Sequence, residues 1–160
     1  MGQVITIYTL QNVPRETANA LLSAAKNMEE FFGGNMSIEA FEETVQPYYQ
    51  AMAEDITRQK KRLGGSFAVA HAVATVKSRD FIRSHMGPEL VFIVLNMTQE
   101  CQKERLKQRH GDTVGDAMIN MFKMYEPAKE GEKNTFNVTI DQGMSKEDVM
   151  EEVLKIVTSA

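Results

Sequence analysis

The stretch Leu90-Val91-Phe92-Ile93-Val94-Leu95 decides the architecture. Six consecutive apolar residues, three of them β-branched, show no polar alternation and are too few for a buried helix. They predict a strand covered on both faces, as in the middle of a parallel sheet packed between helices. Working downstream, Thr98 is an N-cap and Gly111 a stop, which brackets a helix over 99–110. A further helix is expected over 112–125 and an alternating strand over 134–140. Ser145 with Asp148 has the spacing of a capping box and opens a last helix over 146–157. Working upstream, Gly87-Pro88 ends a short helix over 78–85. Before it, Phe67-Ala68-Val69-Ala70-His71-Ala72-Val73, bounded by Gly64-Gly65, predicts another buried strand. From residue 66 onward strands and helices alternate, which implies βαβ units and a three-layer α/β fold with a parallel sheet.

The N-terminal third reads differently. Residues 4–10 are β-branched and predict a short strand that Asn12-Val13-Pro14 breaks. A helix over 15–32 places Ala18, Leu21, Leu22, Ala25, Met28 and Phe32 on one face and ends at Gly33-Gly34-Asn35. Ser37 caps the next helix, with Glu39 in its first turn, and Pro47 is expected to kink it or start a new one running to residue 63. The run Lys60-Lys61-Arg62 suits the negative end of a helix dipole. The expected organisation is a single domain over 1–160, with residues 15–63 as a helical insert and 64–160 as the α/β core.

Composition narrows the function. The chain has 160 residues with 18 Lys+Arg against 22 Asp+Glu, a net charge of −4. That balance argues against nucleic acid as a partner, since such binding relies on basic surface. No apolar run approaches the roughly 20 residues of a membrane helix, and no signal-peptide pattern opens the chain, so a cytoplasmic protein without membrane contact is expected. The single cysteine, Cys101, excludes a disulfide scaffold and reads as a buried, inert thiol. His71, His85 and His110 are scattered, so no metal site is expected. His71 on an apolar run is either a core histidine or, at a strand end, a site residue. The 11 methionines are read first as core filler and second as an adaptable binding surface.

Four pieces in order resemble one family. They are the strand-to-helix passage Ala70-His71-Ala72-Val73-Ala74-Thr75-Val76-Lys77-Ser78-Arg79-Asp80-Phe81-Ile82-Arg83, the strand Val91–Leu95 followed by Arg105-Leu106-Lys107-Gln108-Arg109, the element Tyr125-Glu126-Pro127, and Phe136-Asn137-Val138-Thr139-Ile140 with its following helix. Together they resemble small P-loop kinases of the gluconokinase and adenylate-kinase type over about residues 60–157, with 15–63 corresponding to the substrate-binding insert. The resemblance implies ATP and Mg²⁺ as cofactors and a small anionic substrate. It implies that Arg105 and Arg109 contact nucleotide or transferred phosphate and that Arg79 and Arg83 lie near the acceptor, with His71 at its strand end as a further substrate-binding candidate. Arginine suits that work because its planar fork bonds phosphate oxygens in pairs. The plainer reading of the same arginines is a solvated helix surface, where residues four apart are neighbours in any case.

The departures are as informative. The phosphate cradle G-x-x-x-x-G-K-[ST] occurs nowhere in the chain. The early strand is followed by Gln11-Asn12-Val13-Pro14-Arg15, and the region where the family handles Mg²⁺ reads Ala70-His71-Ala72, without a carboxylate. Three readings of this gap stand: a shortened gene product that kept the fold, a truncated or split chain, or residues 1–10 replacing a lost strand. A lost central strand leaves unpaired sheet edges, which favours a homo-oligomer. The expected function is a degenerate kinase-like protein that binds a phosphorylated or nucleotide-like molecule without efficient phosphotransfer. The alternatives are a self-assembling interaction protein and an active kinase whose cradle lies in a missing N-terminal part.

Overall fold

Among the described residues, two parallel strand pairs, each closed by a helical crossover, organise the chain. The computed structural model describes residues 5–8, 19, 23, 26–27, 30–31, 36–111 and 124–159. Internal contacts gather into two compact units, Met1–Pro88 and Glu89–Ala160. Most of the expected helices over 15–32 and 112–125 lies outside the described residues; those described in 15–32 are helical.

In the first unit, β1 (Ile5–Tyr8) pairs in parallel with β2 (Ser66–Val69), with Ile5 opposite Ser66 and Tyr8 opposite Val69. A parallel pair needs a long crossover, because consecutive parallel strands cannot be joined by a tight turn. That crossover contains α1 (Ile38–Leu63). Ser37 caps α1 by accepting from the Ala40 N–H at 3.2 Å, and the Gly64 N–H donates back to the Lys60 carbonyl at 2.9 Å. No new helix starts at Pro47: α1 runs through it for 26 residues. Proline removes one backbone donor, but residues on both sides of it, Val45, Tyr48, Tyr49, Met52, Ala53 and Ile56, form one buried face. Each large side chain buried there contributes about 1.5–3 kcal/mol, which offsets the lost hydrogen bond.

α2 (Val76–Met86) packs against α1 and buries Ile82. It starts two residues earlier than expected because Thr75 is its N-cap, accepting from the Ser78 N–H at 3.1 Å. β2 is shorter and more open than the expected strand over 67–73, alternating exposed and half-buried positions. Residues 70–74 leave the strand, since the Tyr49 hydroxyl and the Thr75 cap draw them toward α1.

In the second unit, β3 (Phe92–Met97) pairs in parallel with β4 (Thr135–Ile140), Phe92 opposite Thr135 and Met97 opposite Ile140. Between them lies α3 (Gln99–His110), bounded by the expected Thr98 and Gly111. The expectation of a strand covered on both faces is not met: Val94 is buried, while Leu95 is 41% exposed. Val138, Ile140, Met124 and Cys101 complete this core, and the Cys101 thiol donates to the Asp141 carbonyl at 3.7 Å. α4 (Lys146–Ser159) opens on the expected capping box. The Ser145 N–H and hydroxyl both donate to the Asp148 carboxylate at 2.8 Å, and the Asp148 N–H donates back to the Ser145 hydroxyl at 3.1 Å. No described helix is long and apolar enough to cross a membrane.

Candidate functional site

The first unit holds a polar cluster where residues 70–75 leave the C-terminal end of β2. That is the end of a parallel sheet at which α/β proteins place ligands. Two helices face it. From α1 come Glu42, Tyr48 and Tyr49, and from α2 come Lys77 and Arg79 in its first half and Arg83 in its last turn.

Glu42 is the joint of the cluster. It is buried, yet one carboxylate oxygen accepts from the buried Thr75 hydroxyl and the other lies 3.5 Å from the Lys77 ammonium. Thr75 therefore serves twice, as cap for α2 and as donor to α1. The first turn of α2 carries no acidic residue. Lys77 stands there instead, against the helix dipole, and Glu42 supplies the missing anion from the neighbouring helix. The Lys77 side chain is 53% exposed. One turn before Glu42, Glu39 has its carboxyl held below the usual range by a backbone hydrogen bond, by Ser37 and, to a smaller degree, by Lys77.

The aromatic half of the cluster is uncharged. The His71 ring lies edge-on to Tyr48 at 5.2 Å and to Tyr49 at 5.9 Å between centroids. His71 is exposed along its backbone loop, but the tyrosine rings keep water from one side of the imidazole, and this desolvation pushes its pKa down. Burial pushes the Tyr48 phenol up. The Tyr49 hydroxyl donates to the Ala72 carbonyl at 3.3 Å, whereas that of Tyr48 has no hydrogen-bond partner among the described residues.

The arginines fare differently from their expected roles. Arg79 is 1% exposed and already engaged, so it is an interior residue and not part of a solvated surface. Arg83 is largely covered and ion-paired with Asp80 on the same helix. Arg105, half-buried, and Arg109 lie on α3 in the second unit, whereas Arg79, Arg83 and His71 lie in the first. Sequence reasoning missed Glu42, Tyr48 and Lys77. Only Lys77 carried a local signal, a cation in the first turn of a capped helix. Among the described residues no group of three His, Cys, Asp or Glu side chains is arranged to hold a metal.

No known family profile matches the chain, and no curated protein matches it in sequence. Its fold does match a solved structure, that of an unliganded sugar kinase from a Janibacter species. The two are 16% identical, with a TM-score of 0.66 over 98% of this chain and 81% of that one. At that identity the likeness shows a shared α/β fold.

Proposed function

We propose that the chain is a kinase-fold protein that binds a small phosphorylated or nucleotide-like molecule and does not transfer phosphate efficiently. One observation carries the reading: the fold of a sugar kinase extends over 98% of a chain in which G-x-x-x-x-G-K-[ST] is absent. Phosphoryl transfer depends on cations and backbone N–H groups held around the phosphates. The residues present do not fit Mg²⁺–ATP. There is no glycine-rich cradle after β1, and the loop after β2 offers Ala70, His71 and Ala72 where a carboxylate would handle the metal. In this reading the chain is one domain with a three-layer core over 64–160 and an insert over 15–63. Lys77, Arg83 and His71 meet the ligand at the end of β2, Arg79 braces α2 beneath them, and Arg105 and Arg109 hold phosphate in the second unit.

The test is a melting-temperature series with ATP, ADP, glucose 6-phosphate and inorganic phosphate, paired with a phosphotransfer assay. A ligand at a hundredfold its Kd adds about 2.7 kcal/mol, or roughly 5–10 °C for a chain of this size. No shift with any compound at about 10 mM would refute binding, because binding to the folded state must raise stability. Turnover near the ordinary kinase range of about 1–100 s⁻¹ would refute the loss of transfer.

A second reading, self-association, is favoured by the apolar surface of the second unit: Leu95, Phe136, Met150, Leu154 and Val157 are all exposed. Light scattering across concentration checks it, and a monomer at every concentration counts against it.

A further inference from the structure

Tyr48 lies in the middle of the buried face of α1. It is 3% exposed, and its hydroxyl lacks a hydrogen-bond partner among the described residues. Buried hydroxyls are nearly always paired, because an unpaired one has given up water for nothing. Tyr49, the next residue, follows the rule through Ala72. The exposed residue packed against the Tyr48 ring is His71, on the loop at the C-terminal end of β2. An unsatisfied group thus stands beside an exposed residue, at the edge where this fold class binds ligands.

We propose that the Tyr48 hydroxyl and the His71 imidazole form a hydrogen-bonding subsite for an uncharged hydroxyl group of the ligand, with Tyr48 as a specificity-determining residue. This rests on the ligand-binding reading above and adds to it the part of the ligand that is not anionic. Burial keeps the phenol protonated and the imidazole neutral at pH 7, so the pair offers donors and acceptors without charge. Such a pair has nothing to neutralise a phosphate or carboxylate, which is better served by Lys77. A subsite of this kind discriminates strongly against analogues lacking the hydroxyl, because its own polar groups are then left unpaired.

Titration calorimetry with two probes, glucose 6-phosphate and inorganic phosphate, on the full chain and its Tyr48→Phe variant tests the assignment. The variant is expected to bind glucose 6-phosphate about tenfold more weakly. It should bind inorganic phosphate as before and melt no lower than the parent. His71→Phe should weaken glucose 6-phosphate in the same way. Unchanged glucose 6-phosphate affinity in Tyr48→Phe, or an equal loss for both probes, overturns the subsite while leaving the ligand-binding reading in place. A lower melting temperature of the unliganded variant shows that the hydroxyl already has a partner and also overturns it. Failure of the parent to bind glucose 6-phosphate overturns the subsite, and failure with ATP, ADP and inorganic phosphate as well overturns the ligand-binding reading.

Discussion

Replacing Thr75 by valine, which keeps the shape and removes the hydroxyl, tests the joint between α1 and α2. Thr75 does two jobs in the structure. Its oxygen accepts from the Ser78 N–H as the cap of α2, and its hydroxyl proton goes to the Glu42 carboxylate. Losing an N-cap costs about 1 kcal/mol, and leaving a buried carboxylate short of a donor costs about 1.5–3 kcal/mol. Lys77 remains beside Glu42, but it is half exposed, and a pair of that kind is worth at most about 1 kcal/mol. The expected loss is therefore about 3 kcal/mol, read as a fall of roughly 6–12 °C in melting temperature. Thr75→Ser keeps both hydrogen bonds and should cost far less. In a cycle with Glu42→Leu, the double variant should be more stable than the single losses predict, because no unpaired carboxylate then remains. Calorimetry or urea titration measures all four proteins. A Thr75→Val variant within about 2 °C of the parent, or strict additivity in the cycle, would refute the reasoning.

Three further outcomes follow from single sites. Desolvation holds the His71 imidazole below its ordinary value, so the unfolded chain takes up that proton first. Stability is then full above about pH 6.5 and declines as pH falls toward the folded-state pKa. His71→Phe should flatten melting temperature between pH 7 and 5, and an unchanged slope counts against it. Gly64 closes α1 at φ +69° with open space around the position where a Cβ would stand, so Gly64→Ala is penalised by backbone strain and not by a clash. The expected cost in a urea titration is about 1 kcal/mol, with Gly64→Asn milder. The Ser145 hydroxyl and, next, its N–H hold the Asp148 carboxyl below the usual range. Ser145→Ala should move the Asp148 titration, followed by NMR, upward. No movement would mean that the capping box does not form in solution.

Much of the fold was legible where single residues act as punctuation. Thr98 and Gly111 bound α3 in sequence and in structure, and Ser145 with Asp148 does the same for the start of α4. What local pattern could not show was anything decided by partners distant in sequence. The run over 67–73 looks like one strand, but its second half is claimed by Tyr49, 23 residues earlier, and by the Glu42–Thr75 contact across 33 residues. Pro47 looks like a break until the buried side chains on both sides of it are counted. The arginines show the same limit. Spacing makes Arg79 and Arg83 equivalent, and only burial separates an enclosed Arg79 from a half-exposed Lys77 two residues away.

That difference bears on how strongly a phosphate can be held. A P-loop lysine is useful because its charge is available and backbone N–H groups converge on the same oxygens. Lys77 begins its helix at the corresponding kind of place, the end of a parallel strand, but its charge is already shared with Glu42. A ligand anion at the half-exposed Lys77 would share its charge with Glu42, so the contact would contribute less than an unshared ion pair. Glu42 cannot simply withdraw, because its other oxygen secures Thr75 and with it the start of α2. Under the proposed function this arrangement gives modest, exchangeable binding of an anion, with selectivity left to the proposed Tyr48–His71 subsite. It suits poorly the tight phosphate grip on which efficient phosphoryl transfer depends.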